Sequence, residues 1–157
     1  MLRYTSYDIV FQEIPGEVTL AVNLSGCPHR CPGCHSPWLW QDTGEPLNEE
    51  SLGLLLDQYG EAVSCVCFMG GDADPEAVAR LAAFARHRSA HTLKTGWYSG
   101  NSQPPPVSLL RHFNYLKTGP YIEQLGGLTS PTTNQRFYAV ENGRLTDRTH
   151  LFRRISL

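Results

Sequence analysis

Three cysteines in the segment SGCPHRCPGCHSPWLW, Cys27, Cys31 and Cys34, stand in the spacing C-x3-C-x2-C. Thiolates this close on one loop can converge on a single centre, and the centres that suit them are zinc and iron–sulfur clusters. A closed zinc site would need a fourth ligand, and His35 is the nearest nominal donor. Cys34 and His35 are adjacent, however, and neighbouring side chains generally diverge from one small ion. A cubane of four irons usually takes four cysteines; three leave one iron open for a substrate, as a catalytic zinc keeps one position open. The other two of the chain's five cysteines, Cys65 and Cys67, lie in VSCVCFM. Side chains at i and i+2 share one face of a strand, so this pair is either packed as small hydrophobes or a source of a fourth ligand.

The elements around the loop read as alternating strands and helices. Residues 7–24 are a β-rich run around a Pro15-Gly16 turn, and their second half empties into the cluster loop, 25–40. Asn48 followed by Glu49 and Glu50 predicts a helix start, with Leu52, Leu55, Leu56 and Tyr59 at helical spacing and Gly60 closing it. VSCVCFM is a continuous apolar run, as expected of a parallel strand covered on both faces. Asp74-Pro75-Glu76 opens a second helix with a cap, an N1 proline and an early acid. Further on, 91–100 reads as strand and turn, 107–112 as a short helix and FNYLKTGPY as a strand, while 136–157 is hairpin-like. The tripeptide Lys-Thr-Gly occurs at 94–96 and 117–119, and both copies are expected at strand ends, where parallel sheets bind ligands.

The chain has 157 residues, the size of one domain. A complete eight-unit barrel takes about 250 residues. The expected fold is therefore α/β: an open, partial (β/α) barrel of about five or six mostly parallel strands in a single domain, 1–157. At 41% hydrophobic and 18% charged residues, the composition is neither that of a disordered chain nor of a membrane span. The first residues carry no leader pattern, so the cytoplasm is the expected compartment, and an odd number of cysteines there argues for metal or thiol chemistry over disulfides. Residues 1–80 hold 3 Lys/Arg against 12 Asp/Glu, whereas 81–157 hold 10 against 3. The basic half is a candidate docking surface for an acidic partner, but it is not the basic stripe of a nucleic-acid binder.

The C-x3-C-x2-C loop after the first strands, together with Met69-Gly70-Gly71-Asp72 after the next, resembles the radical S-adenosylmethionine (SAM) superfamily. Within it, CPHRCPGCHSPWLW, YLKTGPY and TTNQRFY resemble the activating proteins of anaerobic ribonucleoside-triphosphate reductases, over roughly residues 9 to 140. Two features depart from the superfamily pattern. Gly33 stands where a bulky residue often precedes the third cysteine, which leaves His35, Trp38 and Trp40 as stacking candidates, and Asp72 replaces a glutamate.

The resemblance implies a 4Fe-4S cluster held by Cys27, Cys31 and Cys34, with an open iron that chelates the methionine part of SAM. It implies reductive cleavage of SAM and abstraction of a Cα hydrogen from a glycine of the reductase, with a flavodoxin-like protein as electron donor by analogy. His35, Gly70, Gly71, Asp72, Lys94, Thr95, Ser99, Lys117 and Asn134 are the implied cofactor-binding residues. Gln135 and Arg136 complete an Asn-Gln-Arg element. The rival readings are an activase of another glycyl-radical enzyme, a small-molecule radical SAM enzyme, and a non-catalytic zinc module that binds a partner. No contact with nucleic acid or membrane is expected.

Overall fold

The computed structural model describes residues 2–29, 31, 40–89 and 91–152. Its strands are β1 (Arg3–Val10), β2 (Thr19–Leu24), β3 (Glu45–Pro46), β4 (Cys65–Met69), β5 (Lys94–Tyr98), β6 (Tyr115–Thr118), β7 (Arg136–Glu141) and β8 (Arg144–Asp147). Three helices join them: α1 (Glu49–Tyr59), α2 (Pro75–Arg88) and α3 (Val107–Leu110). All eight strands form one sheet in the order β3-β1-β2-β4-β5-β6-β7-β8.

The expected partial barrel of five or six mostly parallel strands is corrected by this sheet. Four of its seven pairings are antiparallel and three are parallel. Connectivity accounts for the difference, because a parallel pair needs a crossover long enough to return the chain to the starting end of the sheet, usually a helix. The chain makes such a crossover three times, through α1, α2 and α3, and these three produce the parallel ladder β2-β4-β5-β6. The other four pairings are antiparallel. Residues 11–18 return β1 onto β2 antiparallel, and Asn142-Gly143, both at positive φ, close the β7–β8 hairpin.

The helices begin where the sequence places their caps. Asn48 accepts from the Ser51 amide at 2.9 Å while Ser51 Oγ accepts from the Asn48 amide at 2.9 Å, a reciprocal capping box. Asp74 Oδ1 accepts from the Ala77 amide at 3.2 Å, with Pro75 in the first turn of α2. Leu52, Leu55 and Leu56 of α1 and Val78, Leu81, Ala82 and Ala85 of α2 bury against Leu20, Val22, Leu24, Val66, Phe68, Trp97 and Leu116 of the sheet. Period-2 alternation turns Cys65 and Cys67 to the other face, where Ile14, Phe137 and Phe152 cover them. Every residue from Cys65 to Phe68 is fully buried.

At the amino-terminal end of the parallel strands, Glu17 is only 7% exposed at its side chain and takes Lys94 Nζ at 2.9 Å. It also accepts from Ser64 Oγ at 2.7 Å and from the Tyr115 hydroxyl. Burial by itself would raise the Glu17 pKa, but the hydrogen bonds from Tyr115, Ser64 and Lys94, with the lysine charge, outweigh it and hold the carboxyl below the ordinary 4.5. A lowered carboxyl pKa contributes stability that is complete above 4.5 and is lost as the pH falls through the lowered value. Glu17→Gln should lower the unfolding free energy at neutral pH by about 1–2 kcal/mol. In denaturant titrations at several pH values, the gap between variant and wild type should shrink below pH 4.5.

Candidate metal centre

At the other end, Asn23, Met69, Tyr98 and Lys117 are register partners across β2, β4, β5 and β6. The four parallel strands therefore stop level with one another, and the segments that follow them meet at one edge. The cluster loop is the first of these segments. Its neck is closed by Ser25, whose amide donates to the Arg3 carbonyl at 3.0 Å and whose hydroxyl donates to the Thr43 carbonyl at 2.5 Å. Gly26 donates to the Gln41 carbonyl at 3.0 Å, so both limbs of the loop are tied together at its base. Cys27 and Cys31 are free thiols, partly exposed, on the first limb. Cys34, His35 and Trp38 lie outside the described residues. Among the described residues no group of three His, Cys, Asp or Glu side chains is gathered as a metal site.

The segment after β4 is Gly70-Gly71-Asp72. Both glycines have positive φ, 111° and 91°, which residues with a side chain rarely adopt. A Cβ on Gly71 would stand 2.5 Å from Val78 Cγ2 and 2.9 Å from Leu24 Cδ1, so this glycine lets the strand end pack against α2. The Gly70 amide donates to the Tyr98 carbonyl at 3.0 Å, and the Gly70 carbonyl accepts from Trp97 Nε1 at 2.7 Å. A carbonyl oxygen has two lone pairs, and among the described residues Trp97 supplies one donor to that of Gly70. The Asp72 carboxylate is 3% exposed. It accepts from Ser99 Oγ at 2.6 Å, from the Gly100 amide at 2.7 Å and from His29 Nε2 at 2.8 Å.

From Ser99 the hydrogen bonds run on across the strand ends. Lys117 Nζ donates to the carbonyls of Ser99 at 3.1 Å and Gly119 at 2.8 Å, and the Gly119 amide donates to the Asn101 carbonyl at 2.7 Å. Asn134 Nδ2 donates to the Pro120 carbonyl at 3.0 Å, and Gln135 Nε2 to the Gly119 carbonyl at 3.3 Å. Gly70, Gly71, Asp72, Ser99, Lys117 and Asn134 therefore stand along one continuous edge. A cavity of about 620 Å³, within the usual range for small-molecule pockets, opens beside it and is lined by Ser99, Asn101, Trp97, Asp74 and Pro106 among others.

Lys94 and Thr95 are elsewhere. They begin β5 instead of ending it, with Lys94 on Glu17 and Thr95 Oγ1 donating to the His112 carbonyl at 2.6 Å. The repeated tripeptide occupies opposite strand ends, the start of β5 and the end of β6, so sequence likeness did not translate into equivalent position. His29 is the residue that sequence reasoning missed. It has no metal spacing to the other histidines, and its only signal was a position midway between Cys27 and Cys31.

The cysteine pair in β4 is of a different kind from the loop thiols. Burial first, and the Glu17 charge second, push the Cys65 thiol up to about 12, and burial raises Cys67 well above its ordinary 9.0. Both side chains are fully buried on the face covered by Ile14, Phe137 and Phe152, where they pack as small hydrophobes.

A family model described as a 4Fe-4S single cluster domain matches residues 15–126, from the approach to β2 through β6 and the segment after it. The chain belongs to this family of 4Fe-4S single cluster domains. Comparisons with curated proteins and with solved structures gave no match. No helix among the described residues is long and apolar enough to cross a membrane.

The described residues fit such a cluster. Cys27 and Cys31 are unpaired, accessible thiols on a loop closed at its base. Two buried polar atoms, Trp40 Nε1 on the loop's return limb and Asn134 Oδ1 at the strand ends, have no hydrogen-bond partner among the described residues. Cys27→Ala or Cys31→Ala should abolish iron retention after anaerobic reconstitution, read by iron and sulfide analysis. Cys65→Ala should retain the iron and lose about 1–2 kcal/mol of stability.

Proposed function

We propose that the chain is a radical SAM activase that generates a glycyl radical on anaerobic ribonucleoside-triphosphate reductase. The observation that carries this reading is the meeting of the Cys27 and Cys31 loop with Gly70-Gly71 at the level ends of the parallel strands, joined by the His29–Asp72 hydrogen bond. When bound, a reduced 4Fe-4S cluster supplies the electron that splits SAM into methionine and a 5′-deoxyadenosyl radical, which takes a hydrogen atom from a glycine Cα to give 5′-deoxyadenosine.

The protein's part is placement. Cys27 and Cys31, with Cys34, would hold the cluster, and the Gly70 carbonyl would accept from the ammonium of SAM's amino-acid end. Asn134 Oδ1, an acceptor lacking a partner among the described residues, suits a ribose hydroxyl or amino donor. The sheet is open, since its edge strands β3 and β8 do not pair with each other. An extended protein segment can therefore approach, which suits a substrate glycine carried on another protein. A flavodoxin-like donor in the cytoplasm fits the same chemistry.

Mixing the reconstituted, reduced protein with SAM and the reductase should yield 5′-deoxyadenosine and a protein radical with the doublet of a glycyl radical in electron paramagnetic resonance. Formation of 5′-deoxyadenosine without the protein radical would keep SAM cleavage and sink the proposed substrate; formation of neither would sink both. Arg144 and Arg148 are exposed on and beyond the edge strand β8. Reversing their charge should slow activation several-fold at low ionic strength, with the difference fading in high salt, as for a rim charge that steers docking.

A further inference from the structure

We infer that Asp72 serves the cluster through His29: its buried carboxylate fixes the imidazole, and the imidazole fixes the stretch of loop between Cys27 and Cys31 against the end of β4. This differs from a direct bond between Asp72 and the amino group of SAM, the role that the resemblance implies for it.

Three observations converge on the assignment. The carboxylate is 3% exposed and already accepts from three donors, so a ligand has almost no path to it. The competing role of capping α2 is filled by Asp74. The partners also lock its orientation. Ser99 Oγ donates to Oδ1 at 2.6 Å while itself accepting from the Asn101 amide at 3.0 Å, and the Gly100 amide holds Oδ2 at 2.7 Å. An ionised carboxylate only accepts hydrogen bonds, which assigns the proton to His29 Nε2.

The Gly100 backbone confines the imidazole as well. A Cβ on Gly100 would lie 2.6 Å from His29 Cδ2 and 3.0 Å from Nε2. The ring therefore rests directly on the Gly100 backbone, and residue 100 has to lack a side chain for the ring to reach Asp72. His29 lies two residues from each of Cys27 and Cys31, so anchoring it anchors the loop next to both thiols. Partners that orient a metal-binding group typically matter 10- to 100-fold for metal retention.

The test compares anaerobically reconstituted wild type with His29→Ala, His29→Gln and Gly100→Ala, using circular dichroism to check the fold. The readouts are the rate of iron release to a chelator and the electron paramagnetic resonance spectrum of the reduced cluster. His29→Ala and Gly100→Ala should each release iron about tenfold faster, with shifted cluster spectra. His29→Gln, whose amide nitrogen can take the place of Nε2, should return both readouts toward wild type. Gly100→Ala reaches the ring without altering the cluster loop, so it decides the matter even if His29→Ala misfolds. Wild-type release rates and spectra in both alanine variants would overturn the inference, as would a glutamine variant no better than alanine. The cofactor question is read separately, from the effect of SAM on the wild-type spectrum. An indifferent spectrum would sink the proposed function, while the iron-release comparison still decides the role of Asp72.

Discussion

A carboxylate removed from water must be surrounded by donors, because leaving it unpaired is strongly destabilising. Asp72 meets that requirement with groups from two other segments: the His29 imidazole on the cluster loop, and the Ser99 hydroxyl and Gly100 amide after β5. The constraint runs in both directions. Asp72 takes one of its three donors from the cluster loop, and through that bond the loop is held against the strand ends. Lys117 extends the same network to the segment after β6 by bridging the carbonyls of Ser99 and Gly119. One buried charge thus couples the thiol-bearing loop to the glycines and polar groups that line the rest of the edge.

The sheet makes this meeting possible by stopping four parallel strands at the same level. The antiparallel strands on either flank do other work. β1 and β3 bracket the base of the cluster loop, where the Arg3 carbonyl receives the Ser25 amide, and β7 delivers Phe137 over the face that carries Cys65 and Cys67. The polar groups around Glu17 at the far end of the strands are separate from the candidate centre and contribute to stability instead of chemistry. Lys94 belongs to that group, which is why its position next to a familiar tripeptide is no guide to its role.

Much of the local structure was legible in the residues. The starts of α1 and α2 follow from side chains that cap within three residues, Asn48 and Asp74, and a continuous apolar run marked β4 because both faces of that strand are covered. The spacing of the loop cysteines pointed to a metal or cluster centre, and the family model that the chain matches is a 4Fe-4S single cluster domain. Strand pairing was not, since which neighbour a strand joins, and in which direction, depends on the connections and not on the strand's own composition. The antiparallel pairing of β1 with β2 and of β7 with β6 and β8 turned an expected parallel barrel into a mixed sheet. The partners of Asp72 were hidden for a related reason: His29, Ser99 and Gly100 are 43, 27 and 28 residues away from it along the chain, and only the register of the strands brings them together.

Under the proposed function, this end of the sheet would hold a 4Fe-4S cluster with one iron left open to SAM. Mössbauer spectroscopy of protein reconstituted with iron-57, before and after adding SAM, tests it most directly. The account predicts the signature of a 4Fe-4S cluster in which SAM separates one iron environment from the others. A protein that retains zinc and no iron, or a cluster whose iron environments are unchanged by SAM, would contradict it.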